Sequence, residues 1–277
     1  MRTVVHLSDI HFGRTAADVI EPLYEAVRAL APDLVAVSGD LTQRARRREF
    51  EAARLFLDAL PGPRIVVPGN HDVPLHDVVA RFFGPLDRYR RYITSDLEPL
   101  FEDEELLVLG LNTARSLTIK GGRINDAQLA RMREVFCGRG GDRTKVIVTH
   151  HPFDLPARHD VRDLVGRAEG AMRAFAQCGV DMLLAGHMHL SHAGHTAERW
   201  RIDRYAALFV QAGTATSTRA RGEANSFNVI LVDRPEITVK RYVFRPDAGA
   251  FVPEHADRFR RGDHGWSLAA HAAGRPA

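Results

Sequence analysis

Short apolar runs alternate with helical patterns along the first two thirds of the chain. Runs of a few aliphatic residues bounded by Gly, Pro or Asp are typical of buried strands, whereas apolar residues at three- and four-residue spacing predict amphipathic helices. A strand–helix–strand alternation implies βαβ crossovers, and therefore an α/β fold with helices covering a sheet. The pattern predicts strands at 3–8, 34–38, 64–68, 106–111, 145–149 and 182–184, and helices at 16–30, 47–60, 76–92, 126–136 and 171–178.

The pattern of apolar and polar residues changes after about residue 190. Strand-like runs at 208–212, 227–232 and 237–244 follow one another without helices, which suggests a second, antiparallel sheet packed against the first. From about Asp247 the chain is rich in Gly, Pro, Ala and charge and has weak periodicity. We therefore expect one domain over residues 1–250 and a weakly structured tail over 251–277. In the helical stretch 76–92, the Gly84-Pro85 pair predicts an interruption.

Composition excludes several classes of protein. The chain has 277 residues, of which 45% are hydrophobic and 26% charged, and this is ordinary for a globular protein. The net charge of +3 creates no global field that would demand a nucleic-acid or membrane partner. The N-terminus lacks the features of a signal peptide and no apolar run approaches the length of a membrane span, so we expect a soluble, cytoplasmic protein. Cys137 and Cys178 are too few for a secreted scaffold, and we interpret them as reduced thiols.

Polar residues that can bind metals cluster where the predicted strands end. Ligands and cofactors bind at this edge of α/β sheets. Two pairs have i,i+2 spacing, which puts both side chains on one side of an extended backbone. The clusters contain Asp9 and His11, Asp40, Asn70 with His71 and Asp72, His150 with His151, and His187 with His189.

These residues form a mixed nitrogen and oxygen ligand set without thiolate. Such a set suits manganese, iron, zinc or cobalt and is poor for Cu(I) or an iron–sulfur cluster. The candidates are too numerous for one ion. Two cations about 3.5–4 Å apart, bridged by a carboxylate, are the usual arrangement for hydrolysing phosphate esters.

The ordered series DxH, GD, GNHD, HxP and GHxH between residues 9 and 189 resembles the calcineurin-like metallophosphoesterases. The resemblance implies an α/β fold, a four-layer αββα sandwich of two mixed β-sheets flanked by helices, with a two-metal site at the sheet ends. In size the chain looks most like the class III cyclic-nucleotide phosphodiesterases and related bacterial phosphodiesterases.

The resemblance also implies a role for each motif residue. His71 would contact the phosphate and protonate the leaving oxygen without binding a metal. His-His-Pro offers two imidazoles, of which the family pattern favours His150 over His151. The metal pair would be manganese and iron above all, with zinc, cobalt or nickel as alternatives. The first metal would be held by Asp9, His11 and His189, the second by Asn70, His150 and His187, and Asp40 would bridge the two.

Outside the motifs, several polar residues have both a functional and a structural interpretation. The segment 213–221 follows a strand and carries small hydroxyl residues and two arginines, so Thr214 and Arg219 are candidate substrate contacts beside Asn70 and His71. The basic run 44–48 could attract an anionic substrate or be a solvated helix face. His192 and His195 could line the cleft. His6 lies within a strand and is expected to be a hydrogen-bonded core residue.

The sequence therefore predicts a binuclear metal phosphodiesterase acting on a small phosphodiester, with a cyclic nucleotide favoured by the resemblance. The alternatives are a nuclease, a pyrophosphatase acting on nucleotide-linked lipid precursors, and a non-catalytic scaffold. A lipid substrate would require an exposed apolar patch or an amphipathic helix, and the sequence suggests neither. We expect no membrane partner and do not favour nucleic acid, and the resemblance allows a homodimer.

Overall fold

A computed structural model describes residues 1–118, 120–156, 159–219 and 222–272, with side chains described as far as residue 269. Two β-sheets lie face to face, and helices cover their outer faces. The helices are α1 (Ile20–Leu30), α2 (Arg47–Ala59), α3 (Val78–Phe83), α4 (Asp87–Tyr92), α5 (Asp126–Arg139) and α6 (Ala168–Cys178).

The first sheet has seven strands. They are β1 (Arg2–Leu7), β2 (Leu34–Val37), β3 (Arg64–Val66), β10 (Ser226–Asp233), β11 (Glu236–Arg245), β12 (Ala250–Gly262) and β13 (Gly265–Ala272). Their order is β13-β12-β11-β10-β1-β2-β3, in which β1, β2 and β3 run parallel and the other pairs are antiparallel.

The second sheet has six strands. They are β4 (Leu100–Glu102), β5 (Leu106–Gly110), β6 (Thr144–Val148), β7 (Met182–Ala185), β8 (His192–His195) and β9 (Leu208–Gln211). The order is β4-β5-β6-β7-β9-β8, with parallel strands in the middle and an antiparallel strand at each edge.

Alternation along the strands divides the core into three apolar layers. On β1, Val4 faces the second sheet, while Val5 and Leu7 face the helices, because successive side chains of a strand point to opposite faces. α1, α2 and α4 pack on the first sheet, and α5 and α6 on the second. The predicted four-layer αββα sandwich is confirmed.

The late strands lie differently from the prediction. The second sheet is built from strands in the middle of the chain, and β9 joins it in parallel with β7. The remaining late strands extend the first sheet, because β10 pairs antiparallel with the free edge of β1. This pairing connects residues more than two hundred positions apart, a distance over which local periodicity carries no information.

The weakly structured tail was also a wrong expectation as far as residue 272. β12 and β13 form a long hairpin that buries Phe251, Phe259 and Trp266. The indole Nε1 of Trp266 donates to Asp181 Oδ1 at 3.0 Å. The outward-facing positions of the hairpin are charged. Because of these residues, the composition of the segment resembled that of a weakly structured tail. Residues 273–277 lie outside the described part.

Cys137 and Cys178 form a disulfide, which corrects the expectation of two reduced thiols. α5 and α6 lie side by side, so the two Cα atoms are only 4.7 Å apart. Within the described residues, each helix is too short or too polar to cross a bilayer. The interruption at Gly84-Pro85 is confirmed, since α3 ends at Phe83 and α4 begins at Asp87.

Candidate metal centre

The predicted ligands follow strands of both sheets and meet at one edge of the sandwich. The loops that carry them have unusual backbone geometry. Nine non-glycine residues in the described chain have positive φ, and five of these are predicted ligands. This conformation is costly for residues with a Cβ atom and persists only where the surroundings enforce it. The five are Asp9, His11, Asp40, His187 and His189, with φ between 53° and 75°.

A glycine allows the loops after β2 and β3 to approach closely. Gly69 lies against Asp40, so closely that a Cβ atom at residue 69 would overlap the Asp40 carboxylate. The backbone N–H of the neighbouring His71 donates to Asp40 Oδ1 at 2.8 Å. Gly69 is therefore required by packing against Asp40, independently of any metal.

The first group of predicted ligands is Asp9, His11 and His189, all buried. Asp9 Oδ1 lies 3.4 Å from His11 Nε2 and 3.2 Å from His189 Nε2, and these two nitrogens are 3.4 Å apart. Asp9 Oδ1 nevertheless has no hydrogen-bond donor. A buried carboxylate oxygen without a donor is rare in folded proteins. Three ligand atoms around one point fit a cation that would satisfy this oxygen.

The second group is Asn70, His150 and His187. Asn70 Oδ1 lies 3.0 Å from His150 Nε2 and 3.1 Å from His187 Nδ1. On the other side of its ring, His150 Nδ1 donates to Ser38 O at 2.8 Å. Because a carbonyl only accepts, Nδ1 carries a proton, and this leaves Nε2, which faces the group, as the atom that can bind a metal.

Asp40 lies between the two groups. Its Oδ1 is 3.4 Å from His150 Nε2 and its Oδ2 is 3.6 Å from His11 Nε2. Burial would raise the pKa of Asp40, but the adjacent His150 and His71 outweigh it and hold the pKa well below the usual range. The carboxylate is therefore ionised, with one oxygen toward each group.

His151 is engaged on both sides of its ring. Nδ1 lies 2.8 Å from Thr113 Oγ1, and Nε2 donates to Lys120 O at 3.0 Å. Burial, followed by the imidazoles of His187 and His150, holds the pKa of His151 well below its usual value. His151 lies close enough to be grouped with His150 and His187, but His150 is the one that faces Asp40 and Asn70.

His71 is half-buried beside the first group, with its ring edge against His11 at a centroid distance of 4.9 Å. Its Nδ1 donates to Gln43 O at 2.9 Å, and its Nε2 accepts from Arg219 Nη1 at 3.1 Å. Burial lowers the pKa of His71. Of the two candidate substrate contacts in 213–221, the structure brings Arg219 to His71, whereas Thr214 is buried.

Two supporting residues were given no role in the sequence interpretation. The backbone carbonyl of Gln43 accepts the hydrogen bond from His71 Nδ1 and so holds the ring. Asp72 is buried and accepts the backbone N–H groups of Gly69, Leu41 and Thr42, which fastens the loop after β2 to the loop after β3. Burial, followed by the charge of Asp40, raises the pKa of Asp72 to about 6. The sequence feature that could have identified this role of Asp72 is its position within the GNHD block.

Three further histidines named in the sequence analysis lie outside the two ligand groups. His6 is fully buried and its Nε2 bonds Ser38 Oγ at 2.9 Å, as predicted for a core residue. His192 and His195 line a separate cavity of about 380 Å³ along β8, together with Asp154 and Phe209. The predicted ligands do not line this cavity.

Comparisons with known proteins agree with this geometry. A probable glycerophosphodiester phosphodiesterase from Arcobacter nitrofigilis is 26% identical over 202 residues, 67% of this chain and 71% of that protein. A probable cyclic nucleotide phosphodiesterase from Rhodopseudomonas palustris is 28% identical over 207 residues, 70% and 73% of the two chains. The crystal structure of a dimetal phosphatase from Danio rerio shares the fold, with a TM-score of 0.64 at 14% identity over 87% of this chain and 95% of that one.

The family model for calcineurin-like phosphoesterases matches residues 2–191, which include all five sequence blocks. This confirms the resemblance seen in the sequence. The chain belongs to the calcineurin-like phosphoesterase family, a class of binuclear metal enzymes, and is a metal-dependent phosphoric ester hydrolase.

Proposed function

We propose that this protein hydrolyses small phosphodiesters with two metal ions held by seven side chains. The observation that carries the proposal is the position of Asp40, whose two oxygens face two separate ligand groups. A carboxylate placed in this way suits a bridge between two cations. The proposed ligands are Asp9, His11 and His189 for one ion, Asn70, His150 and His187 for the other, and Asp40 for both.

When bound, such a metal pair supplies a water of lowered pKa and neutralises the charge of the phosphate. The protein contributes the geometry. Ser38 O accepts a hydrogen bond from His150 Nδ1 and so orients the ring from the side away from the ligand group. The backbone N–H of His187 donates to Asp9 Oδ2 at 3.0 Å and orients that carboxylate. Ligands oriented by such contacts need little reorganisation when the ions bind.

His71 and Arg219 are proposed to bind and protonate the substrate. In the free protein the Arg219 guanidinium donates to His71 Nε2. A phosphate arriving between them would take over the Arg219 hydrogen bonds, and its negative charge would favour the protonated imidazole. His71, still held at Nδ1 by Gln43 O, could then donate its Nε2 proton to the leaving oxygen.

The small phosphodiester class is supported by the two relatives, one named for glycerophosphodiesters and one for cyclic nucleotides. A cyclic nucleotide remains our first choice, with glycerophosphodiesters beside it. The non-catalytic scaffold loses support, since every motif residue is present and the ligand atoms converge. Those of Asp9, His11 and His189 lie within 4.8 Å of one another, and Asn70 Oδ1 lies 3.0 and 3.1 Å from the facing nitrogens of His150 and His187. Manganese and iron remain the proposed metals.

The test is a substrate panel on protein reconstituted separately with manganese, iron, zinc, cobalt and nickel. It should contain 3′,5′- and 2′,3′-cyclic nucleotides, glycerophosphodiesters, nucleotide-sugar pyrophosphates, single-stranded DNA and bis-p-nitrophenyl phosphate. We expect turnover of the aryl ester and of at least one small phosphodiester, with loss of both on chelation. Full turnover by chelated, metal-free protein would contradict the proposal, as would turnover of DNA or pyrophosphates alone.

A further inference from the structure

Helix α3 carries its apolar side chains outward, the reverse of an ordinary surface helix. Val78, Val79, Phe82 and Phe83 are 62%, 70%, 52% and 88% exposed. Their spacing places all four on one face of the helix. Arg81, on the opposite face, is buried.

Arg81 explains how this inverted arrangement is held. Its Nη1 donates to Pro74 O at 2.9 Å and its Nη2 to Thr118 O at 2.7 Å. The guanidinium thus ties the inner side of α3 to two neighbouring loops. Burying a cation without such partners would be costly. With them, the arrangement is stable and directs the apolar face to solvent.

Two more exposed leucines lie close to α3, one next to the helix in the chain and one next to the Thr118 that Arg81 binds. Leu75 precedes the helix and is 43% exposed, and Leu117, beside the Thr118 contact, is 84% exposed. The apolar face is defined by six residues, which are more than half of the ten exposed large hydrophobic side chains in the described chain. Scattered exposed hydrophobic residues are ordinary, but a contiguous patch marks an interaction site. The six are Leu75, Leu117, Val78, Val79, Phe82 and Phe83.

Short stretches of chain connect the apolar face to the candidate metal centre at two points. His71 lies four residues before Leu75 on one side. On the other, Lys120, three residues after Leu117, accepts the hydrogen bond of His151 through its carbonyl oxygen. The apolar face is therefore joined to the centre by only a few residues of chain at each of these points.

A basic region adjoins α3 through Arg88. Arg88 Nη2 pairs with Asp77 Oδ2, at the first turn of α3, at 3.0 Å, and Arg88 Nη1 donates to Ala45 O at 2.9 Å. These contacts join α3 to α4 and to the basic run. The arginine rim is defined by the seven arginines of the basic run 44–48 and of α4. The adjoining residues carry four carboxylates, those of Glu49, Glu51, Asp77 and Asp87, so positive charge is in excess. The seven are Arg44, Arg46, Arg47, Arg48, Arg88, Arg90 and Arg91.

We propose that the apolar face and the arginine rim dock the protein on the surface of a bilayer that contains anionic lipid. Aromatic and aliphatic side chains beside basic residues are the composition that binds such surfaces without spanning them. Each arginine near an anionic surface adds attraction that salt weakens. The docked face would bring the metal centre to the level of the lipid headgroups.

A second copy of the chain fits this surface less well. In a twofold dimer the same patch meets itself, so two arginine rims would face each other. Like charges brought together in this way oppose association. An anionic bilayer has the complementary charge.

This proposal departs from the sequence expectation of no apolar patch and no membrane partner. Spacing within α3 shows which residues share a face but not which face turns inward. Here Arg81 decides the orientation, through contacts with Pro74 and Thr118 that depend on the folded chain.

The test is flotation of the metal-loaded protein with vesicles of phosphatidylcholine, with and without phosphatidylglycerol. We expect binding to the anionic vesicles and weaker binding at high salt. The double variants Phe82→Ser/Phe83→Ser and Arg46→Glu/Arg91→Glu should each lose on the order of tenfold or more in partitioning. Matched controls are Leu55→Ser, an exposed leucine on α2, and Arg133→Glu on α5, which should bind as wild type. Thermal unfolding of each variant checks that the fold is retained.

Two outcomes would overturn the proposal. One is wild-type protein that stays in solution with both kinds of vesicle, or double variants that float as the wild type does. The other is analytical ultracentrifugation showing a dimer that the phenylalanine variant dissociates, which would assign the face to a second copy. No readout here depends on hydrolysis, so the proposed function is tested separately.

Discussion

Arg219 and His71, 148 residues apart in the chain, meet at the metal centre with Arg219 Nη1 donating to His71 Nε2 at 3.1 Å. On the other side of the ring, Nδ1 donates to Gln43 O at 2.9 Å. Both ring nitrogens of His71 therefore have hydrogen-bond partners within the protein, and neither is left to bind a metal. This distinguishes His71 from the neighbouring Asn70, whose oxygen faces two imidazoles.

We expect His71→Ala to keep its metal and lose catalysis. Loss of a general acid typically costs about 10²- to 10⁴-fold in rate. The loss should be large in kcat for a ribose or glycerol leaving group and smaller for p-nitrophenol, which hardly needs a proton. Kinetics on both kinds of ester, with metal content measured in parallel, check the role.

The outcome that would remove His71 as proton donor is an equal loss on both esters, or metal loss that excess manganese rescues. Asn70→Ala is the matched control at the adjacent position. Because Asn70 is proposed to bind the second ion, its variant should show the rescue that His71→Ala lacks.

Asp40→Ala should impair both metal sites, whereas Asn70→Ala should mainly weaken one. The reason is that Asp40 faces both ligand groups, through Oδ1 toward His150 and Oδ2 toward His11. Elemental analysis of the purified variants, each reconstituted with the same metals, measures the stoichiometry. If Asp40→Ala bound as much metal as the wild type, the bridge assignment would be wrong.

Trp266→Ala should lower the free energy of unfolding by about 3–5 kcal/mol, the usual cost of truncating a buried aromatic residue. Trp266 is 2% exposed and donates to Asp181, so its loss would also leave a buried carboxylate short of a donor. Leu268→Ala, on the same strand but 38% exposed, is the control and should cost about 1 kcal/mol or less. Urea unfolding measures both. Equal small losses would indicate that β13 contributes little to the fold.

The convergence of the proposed ligands was predictable because the information for it is local. Each ligand stands within a short block directly after an apolar run, and strand ends in α/β folds converge at one edge. Asp9, Asp40 and His187 lie together as that rule requires.

What could not be predicted depends on contacts between distant segments. The pairing of β10 with β1 and the approach of Cys137 to Cys178 leave no mark on local periodicity. The orientation of α3 is set by two carbonyl groups that bind Arg81. In each case the local pattern was compatible with two arrangements, and tertiary packing selected one.

His6 provides a pH-dependent test of the core of the first sheet. Its ring is fully buried, Nε2 bonds Ser38 Oγ, and Nδ1 has no partner. Burial lowers the pKa of His6 from 6.5 to about 3. The unfolded chain therefore takes up a proton below pH 6.5 that the folded protein does not. The stabilising contribution is complete above pH 6.5 and is lost progressively as the pH falls toward 3.

His6→Gln removes this titration while keeping a group that can bond Ser38. We expect the variant to be less stable than the wild type at pH 7.5, but to lose less stability between pH 7.5 and pH 5, by about 1–2 kcal/mol. Urea unfolding of both proteins in one chelating buffer measures this difference, because contributions from the metal-centre histidines are then common to both. If the free energy of unfolding fell with pH as steeply in His6→Gln as in the wild type, the His6 ring would have to be protonated in the folded protein. The assignment of a neutral, buried ring would then be wrong.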